Sequence, residues 1–263
     1  MGKMKRTIEL FKAYYKTNVK EVAIYDKDFY FGIISMIIEY AASLMVLFFI
    51  FDIVEEINGW TFYEILFLYS FNLIGFSLWA CFFINTITLP YYIQDGSFDR
   101  FLLRPISPIF QIMMSGFDED SWGELLTGVI LFIYSWIKLK INIWFILITP
   151  VFFVSACFIY AGISIMFSTL SFYTIAKADF ANLTMEFKEF AKYPMTIYKK
   201  GLQIIFTTIV PIGFVAFYPS KIFFEGLKYS YLIIVIPIIS YIYYRFSKYI
   251  WNIGLKRYGS SGS

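Results

Sequence analysis

The 263-residue sequence contains no histidine and only two cysteines. Without histidine the commonest metal ligand and the commonest general base at neutral pH are missing, and a Ser-His-Asp triad is impossible. The two cysteines, Cys81 and Cys157, lie inside apolar runs. They read as small buried hydrophobes, with no disulfide framework or zinc site. Charged residues make up only 16% of the chain, against about 25% in soluble domains. There is no G-x-x-x-x-G-K-[ST] phosphate loop, so ATP is not bound here in that way. There is no G-x-S-x-G, no H-E-x-x-H and no aspartate-rich phosphate motif. The first thirty residues have no apolar core near the start, so no cleaved signal peptide is expected.

What is present is apolar surface. The chain is 59% hydrophobic and 23% aromatic, more than a soluble domain hides from water. This composition places it among membrane proteins. The apolar runs are continuous rather than alternating, which favours helices over a barrel. A spanning helix needs about 20 residues. Six spans are read at about 31–53, 62–84, 122–137, 143–172, 202–218 and 229–246. The third is short, the fourth long, the fifth is interrupted by Pro211 and Gly213, and the sixth contains Pro237.

Residues 1–30 place Ile8, Leu10, Phe11, Tyr14, Tyr15 and Val19 against Lys5, Arg6, Lys12, Lys16 and Lys20. The i,i+4 pairs Leu10/Tyr14 and Phe11/Tyr15 predict an amphipathic helix in the membrane interface; the alternative is a solvated basic arm. Orientation follows from lysine and arginine. Of 22 such residues, 18 fall on one side, in the N-terminal segment, the 85–121 and 173–201 loops and the C-terminal segment. That side is the cytoplasm, and it holds both termini. The other side has Lys138, Lys140, Lys221 and Lys228, on short loops.

The longest polar interruption of the first half is Gln94 to Ile109, QDGSFDRFLLRPISPI. It opens on the turn pair Asp95-Gly96 and stops at Pro105 and Pro108. Between them lie Asp99, Arg100 and Arg104 among Phe98, Phe101, Leu102 and Leu103. Apolar side chains beside a few fixed charges suit a short helix that docks on a membrane surface or on another protein. The 173–201 loop is amphipathic too: Phe180, Leu183, Phe187 and Phe190 keep helical spacing, Asp179, Glu186 and Glu189 lie off that row, and Pro194 ends it.

Few residues could carry chemistry. Glu39 in the first span and Asn72 in the second are candidates for a transport path or a proton site, or are structural polar groups between helices. Asn85 reads as a helix terminator. Asp52, Glu55 and Glu56 form a solvated external loop. Asp118, Glu119 and Asp120 precede the third span, where acids meet the positive end of the helix dipole, and Ser121 is placed to cap that helix. Three adjacent acids do not share a helix face, so no metal site is read.

The residues as a whole resemble an ABC-2-type permease, the membrane subunit of bacterial ABC exporters. The resemblance rests on a G-x-x-D-x-x-L-L-R-P-x-x-P block after the second span, here Gly96, Asp99, Leu102, Leu103, Arg104, Pro105 and Pro108. It continues through Tyr193-Pro194 with Ile197-Tyr198, Pro211 with Tyr218-Pro219 and Gly226, and Trp251, Gly254 and Tyr258. It implies a single all-α transmembrane domain over 1–263, with six transmembrane helices, an interfacial N-terminal helix over 1–30 and a cytoplasmic coupling helix at 94–109. It further implies two copies of a separate ATPase that carries the ATP and magnesium, a second permease chain, identical or related, and a bacterial plasma-membrane location. This chain itself would hold no cofactor and no metal and would be no enzyme; lipid would surround it, and nucleic acid would be no partner.

Phe98, Asp99, Arg100, Phe101, Leu102 and Arg104 are the expected ATPase-coupling residues, with Glu186, Lys188 and Glu189 as second choices. Glu39 and Asn72 would face the substrate path. An amphipathic cargo fits the aromatic content; drugs, peptides and lipid-linked molecules all remain open. The alternatives are an ATP-independent secondary transporter and a membrane scaffold. The former would want paired intramembrane charges or an internal repeat, and the sequence displays neither.

Overall fold

The computed structural model describes residues 9–18, 20, 26–116, 118, 120–173 and 179–259. The N-terminal interfacial expectation at 1–8 and 21–25, Glu119, and residues 174–178 of the 173–201 loop lie outside these. Among the described residues the chain is helical, and its one β-type pairing is an isolated bridge between Ile57 and Trp60. A short helix over 9–18 (α1) is followed by α2 (Asp26–Ile53) and α3 (Phe62–Phe83). Three short helices follow, α4 (Leu89–Gln94), α5 (Asp99–Leu102) and α6 (Pro108–Met113). Next come α7 (Ser121–Lys138), α8 (Thr149–Thr169) and α9 (Asp179–Ala191). The last three are α10 (Lys200–Thr208), α11 (Phe217–Glu225) and α12 (Leu232–Leu255).

The turn between α2 and α3 is legible in local chemistry. Asn58 and Gly59 have φ of 51° and 79°, the left-handed pair that tight hairpin turns require. Glu64 then accepts the Thr61 N–H and hydroxyl, each at 2.8 Å, closing the first turn of α3 as a capping box.

The centre of the bundle is α3, which packs between α7 and α8, while α12 lies along α8. Its core is aromatic. Phe67 lies 5.2 Å from both Phe132 and Phe223 between ring centroids, and Phe71 lies 4.6 Å from Phe153. Such offset and edge-on pairs add to simple burial. α8 and α12 run parallel: Gly162 meets Tyr243 and Ser247, and further along Thr169 and Phe172 meet Gly254. Small residues let the two backbones approach closely, the usual device where lipid removes the hydrophobic drive between helices.

Four helical stretches are long and apolar enough to cross a membrane: Phe29–Ile53, Phe62–Gln94, Thr149–Phe172 and Leu232–Leu255. The pair Lys200–Thr208 and Ile212–Glu225 makes a fifth if its 75° bend is one broken span. This modifies the six-span expectation: the fourth span starts at Thr149, the sixth runs on from residue 246 to Leu255, and three further places differ more. The 18-residue α7, carrying Glu124 and Lys138, falls outside that set. The second span runs on past residue 84 to Gln94. The fifth region breaks at Pro211, where a missing N–H interrupts the helix. A nine-residue helix, α11, occupies Phe217–Glu225, across the end of the expected fifth span and the short loop after it. Pro237, by contrast, lies within a helix that continues through it to Leu255.

Candidate functional site

Two sites are built from residues far apart in sequence. The first is the segment after α3. Gly96 has φ of 74°, a left-handed backbone that favours glycine, and it reverses the chain after α4. The Ser97 hydroxyl and N–H both donate to Asp95 and hold its carboxyl below the ordinary range. Phe98 and Phe101 then turn inward; both are buried in a cluster with Leu89, Ile112 and Trp251. Gln111, fully buried, donates to the carbonyls of Phe101 and Ile106 at 2.9 and 3.0 Å. It fixes the loop between α5 and α6 from below. Leu102, Leu103, Arg104 and Pro105 are left exposed on the outside, Leu103 at 85%. Arg100 is also exposed, its guanidinium over the rings of Tyr92 and Phe101.

The base of this turn comes from the other end of the chain. The Tyr258 hydroxyl donates to Asp99 at 2.9 Å, and the Phe98 ring sits 4.8 Å from Tyr258 and 6.4 Å from Trp251. Burial, then the bond to Asp99, pushes the Tyr258 phenol up to about 12. Gly254 fits here because a Cβ would come within 2.6 Å of Thr169. The α1 helix closes the assembly: Phe11 and Tyr14 pack on the same cluster, and the Asn18 amide reaches the Met114 carbonyl at 3.4 Å. Asn85 adds a further tie, donating to the Gly116 carbonyl at 2.5 Å.

A model of the ABC-2 family transporter proteins matches residues 37–262. The chain belongs to that family. Comparison with curated proteins and with solved structures gives no match. In this ABC-2 family member the residues of the block after α3 and those of the Trp251–Tyr258 segment therefore meet in one cluster. Phe98 and Phe101 support the exposed turn from beneath it; of the coupling residues expected in this block, Arg100, Leu102 and Arg104 are open to a partner's surface and Asp99 is half-buried.

The second site lies between α2, α3, α7 and α9. Lys188 is not a loop cation. Its ammonium pairs with Glu124 at 2.7 Å, with both side chains largely buried, and donates to the Tyr40 hydroxyl at 2.7 Å. The Phe76 ring lies 4.2 Å from it. Asn72 holds the same helix by donating to the Lys188 carbonyl at 3.0 Å, while its own oxygen accepts from Tyr160. The sequence reading missed Glu124 and its pairing with Lys188; the fold supplies a buried charge pair between α7 and α9. A polar pocket of about 160 Å³ opens beside it, lined among others by Glu39, Asn72, Lys188 and Glu189. Glu39 is exposed and Asn72 buried, so the two expected path residues share one pocket. Glu189 is exposed and pairs with Lys192; Glu186 is exposed on the opposite side of α9 from the buried Thr184.

The acids before α7 behave differently from expectation. Ser121 is the first residue of the helix and donates to Asp118, while the cap position falls at Asp120 with no side-chain bond to the helix. Burial pushes the Asp118 carboxyl up, against the bond from Ser121. Among the described residues no cluster of three or more acids, cysteines or histidines could hold a metal.

Proposed function

We propose that the chain is the permease subunit of an ATP-driven exporter in a bacterial plasma membrane, with both termini in the cytoplasm. A separate ATPase, present in two copies and holding the ATP and magnesium, docks on the α5–α6 turn. A second permease chain, identical or related, completes the membrane part. The cargo is amphipathic: a drug, a peptide or a lipid-linked molecule.

Family membership supports the transport role, and the exposed Leu102–Pro105 turn is the observation that carries the docking assignment. Its cation projects from a base fixed by Phe98, Phe101 and Gln111, so force applied at the turn is delivered to the bundle instead of being absorbed by a soft loop. Asp99 and Arg100 flank it. Energy enters through the ATPase's different affinity for the inward- and outward-facing arrangements. Glu39, Asn72 and the Lys188–Glu124 pair would line or brace the path between α2, α3 and α9, with Glu186 and Glu189 as a secondary contact for the ATPase.

The test is co-purification with the neighbouring-gene ATPase and any neighbouring permease, followed by hydrolysis assays on wild type and Arg104→Glu. Coupling free energies run at about 1–3 kcal/mol, so charge reversal should lower transport-linked stimulation by roughly fivefold or more while the chain still inserts. Full transport by the mutant would remove Arg104 from the coupling role. The buried Lys188–Glu124 pair favours one competing reading, an ATP-independent secondary transporter, since paired charges within a membrane bundle mark ion pathways. The same preparation separates the two: cargo movement without an ATPase, driven by an ion gradient, would establish the competitor.

A further inference from the structure

A large cavity adjoins the first site and shares Phe11 and Pro105 with it. It has a volume of about 800 Å³ and lies between α1, α3, α6, α8 and α12, within the roughly 300–1,000 Å³ range of ligand pockets. Its walls include Leu78, Phe82, Phe110, Val154, Phe158 and Tyr244. Lys248 is the one charged side chain among the lining residues, accompanied by the hydroxyl of Ser107. Among the described residues no carboxylate forms an ion pair with Lys248; its ammonium lies 5.7 Å from the Tyr244 ring centroid.

The cavity runs along α8, from the level of its one cation to Val154. Gly162 of α8 packs against Ser247, next to Lys248. Val154, also on the wall, lies eight residues earlier on α8, which is roughly 12 Å along a helix. The cavity therefore carries one cation at one level and extends as a lining of aromatic and aliphatic side chains for a good part of a bilayer leaflet, whose hydrocarbon is about 15 Å deep. A cation on the wall of such a cleft that forms no ion pair among the described residues complements a lipid with a charged phosphate and a hydrocarbon tail.

We propose that this cavity is a binding site for an anionic membrane phospholipid, with an acyl chain against Leu78, Phe110, Val154 and Phe158 and the phosphate at Lys248 and Ser107. Pro105, Ile106 and Ser107 form part of the wall, so a bound lipid braces the loop directly behind Arg104. The site stands independently of the exporter reading, because lipid retention is measured without an ATPase or a cargo.

The test is native mass spectrometry of the purified full chain after incubation with equal amounts of phosphatidylglycerol and phosphatidylcholine. Wild type should retain one phosphatidylglycerol in preference to phosphatidylcholine. Lys248→Ala should lower that retention about fivefold, the weight of one cation at an anionic lipid surface, and Lys248→Arg should keep it. Cys157→Trp, which fills the cavity without touching Lys248, should lower retention of any lipid there. Equal retention of the two lipids, or retention unchanged in both Lys248→Ala and Cys157→Trp, would overturn the proposal. So would a lipid-free dimer that Cys157→Trp converts to monomer, which would make a second copy of the chain the occupant.

Discussion

α2 and α3 are neighbours in sequence, similarly apolar, and opposite in surroundings. In the Phe62–Gln94 stretch 89% of the most apolar window is buried within the chain; in Phe29–Ile53 the figure is 11%. α3 carries the aromatic core, with Leu68 and Phe71 wholly enclosed, whereas α2 turns Ile38, Met45, Phe48 and Phe49 outward at more than 60% exposure each. In water that difference would be untenable. In a bilayer it costs nothing, because lipid tails are as apolar as leucine and helices associate through packing and polar bonds. The lesson is that hydrophobicity selects the membrane and small or polar residues select the neighbours. α2 is held by such features, among them the Tyr40–Lys188 bond and the close seat of Ile33 on Gly123.

The contrast can be broken at its strongest point by Lys188→Met. This removes the α2 tie and leaves Glu124 buried without a counter-charge, at a cost of about 3–5 kcal/mol. Adding Glu124→Gln to the same chain should recover part of the loss, read as a double-mutant cycle by unfolding in detergent. Next, Leu68→Ala on α3 should destabilise by about 2–5 kcal/mol through the cavity it opens. Ile38→Ala on α2 should stay within about 0.5 kcal/mol. Equal losses at the two positions would mean that α2 is packed against more than lipid. Between Leu68→Ala and Ile38→Ala in expected size falls Gly123→Ala. A Cβ there would come within 2.8 Å of Ile33 Cα and O. Backbone atoms cannot rotate away, so overpacking should cost about 1–3 kcal/mol, visible as a lower thermal midpoint.

The sequence reveals the helical membrane class, the end of α2, the start of α3 and the reversal at Asp95-Gly96, because each depends on local composition or turn chemistry. It also supplies the residues of the block after α3. It does not reveal that Phe98 meets Trp251 and Tyr258, a contact more than 150 residues apart that depends on α8 and α12 packing in parallel. Lys188 was counted with the cations of the 173–201 loop and as a second-choice coupling residue, whereas it is largely buried. Helical register carried the missed signal: Thr184, Lys188 and Ala191 fall on one side of α9, and Thr184 and Ala191 are both buried. Glu124 could have been found the same way, since it shares a side of α7 with the buried Ser121, Thr127 and Gly128. The break at Pro211 was visible, but its 75° direction depends on Phe206 and Phe214 entering the shared core.

The bond from Tyr258 to Asp99 has a practical consequence for anyone labelling this protein. A fluorescent protein or rigid affinity handle joined directly behind Tyr258 would load the same turn that presents Arg104, and altered coupling in such a fusion would report on the handle. A flexible glycine-serine spacer, or a label placed in the 54–58 loop between α2 and α3, leaves that turn mechanically undisturbed.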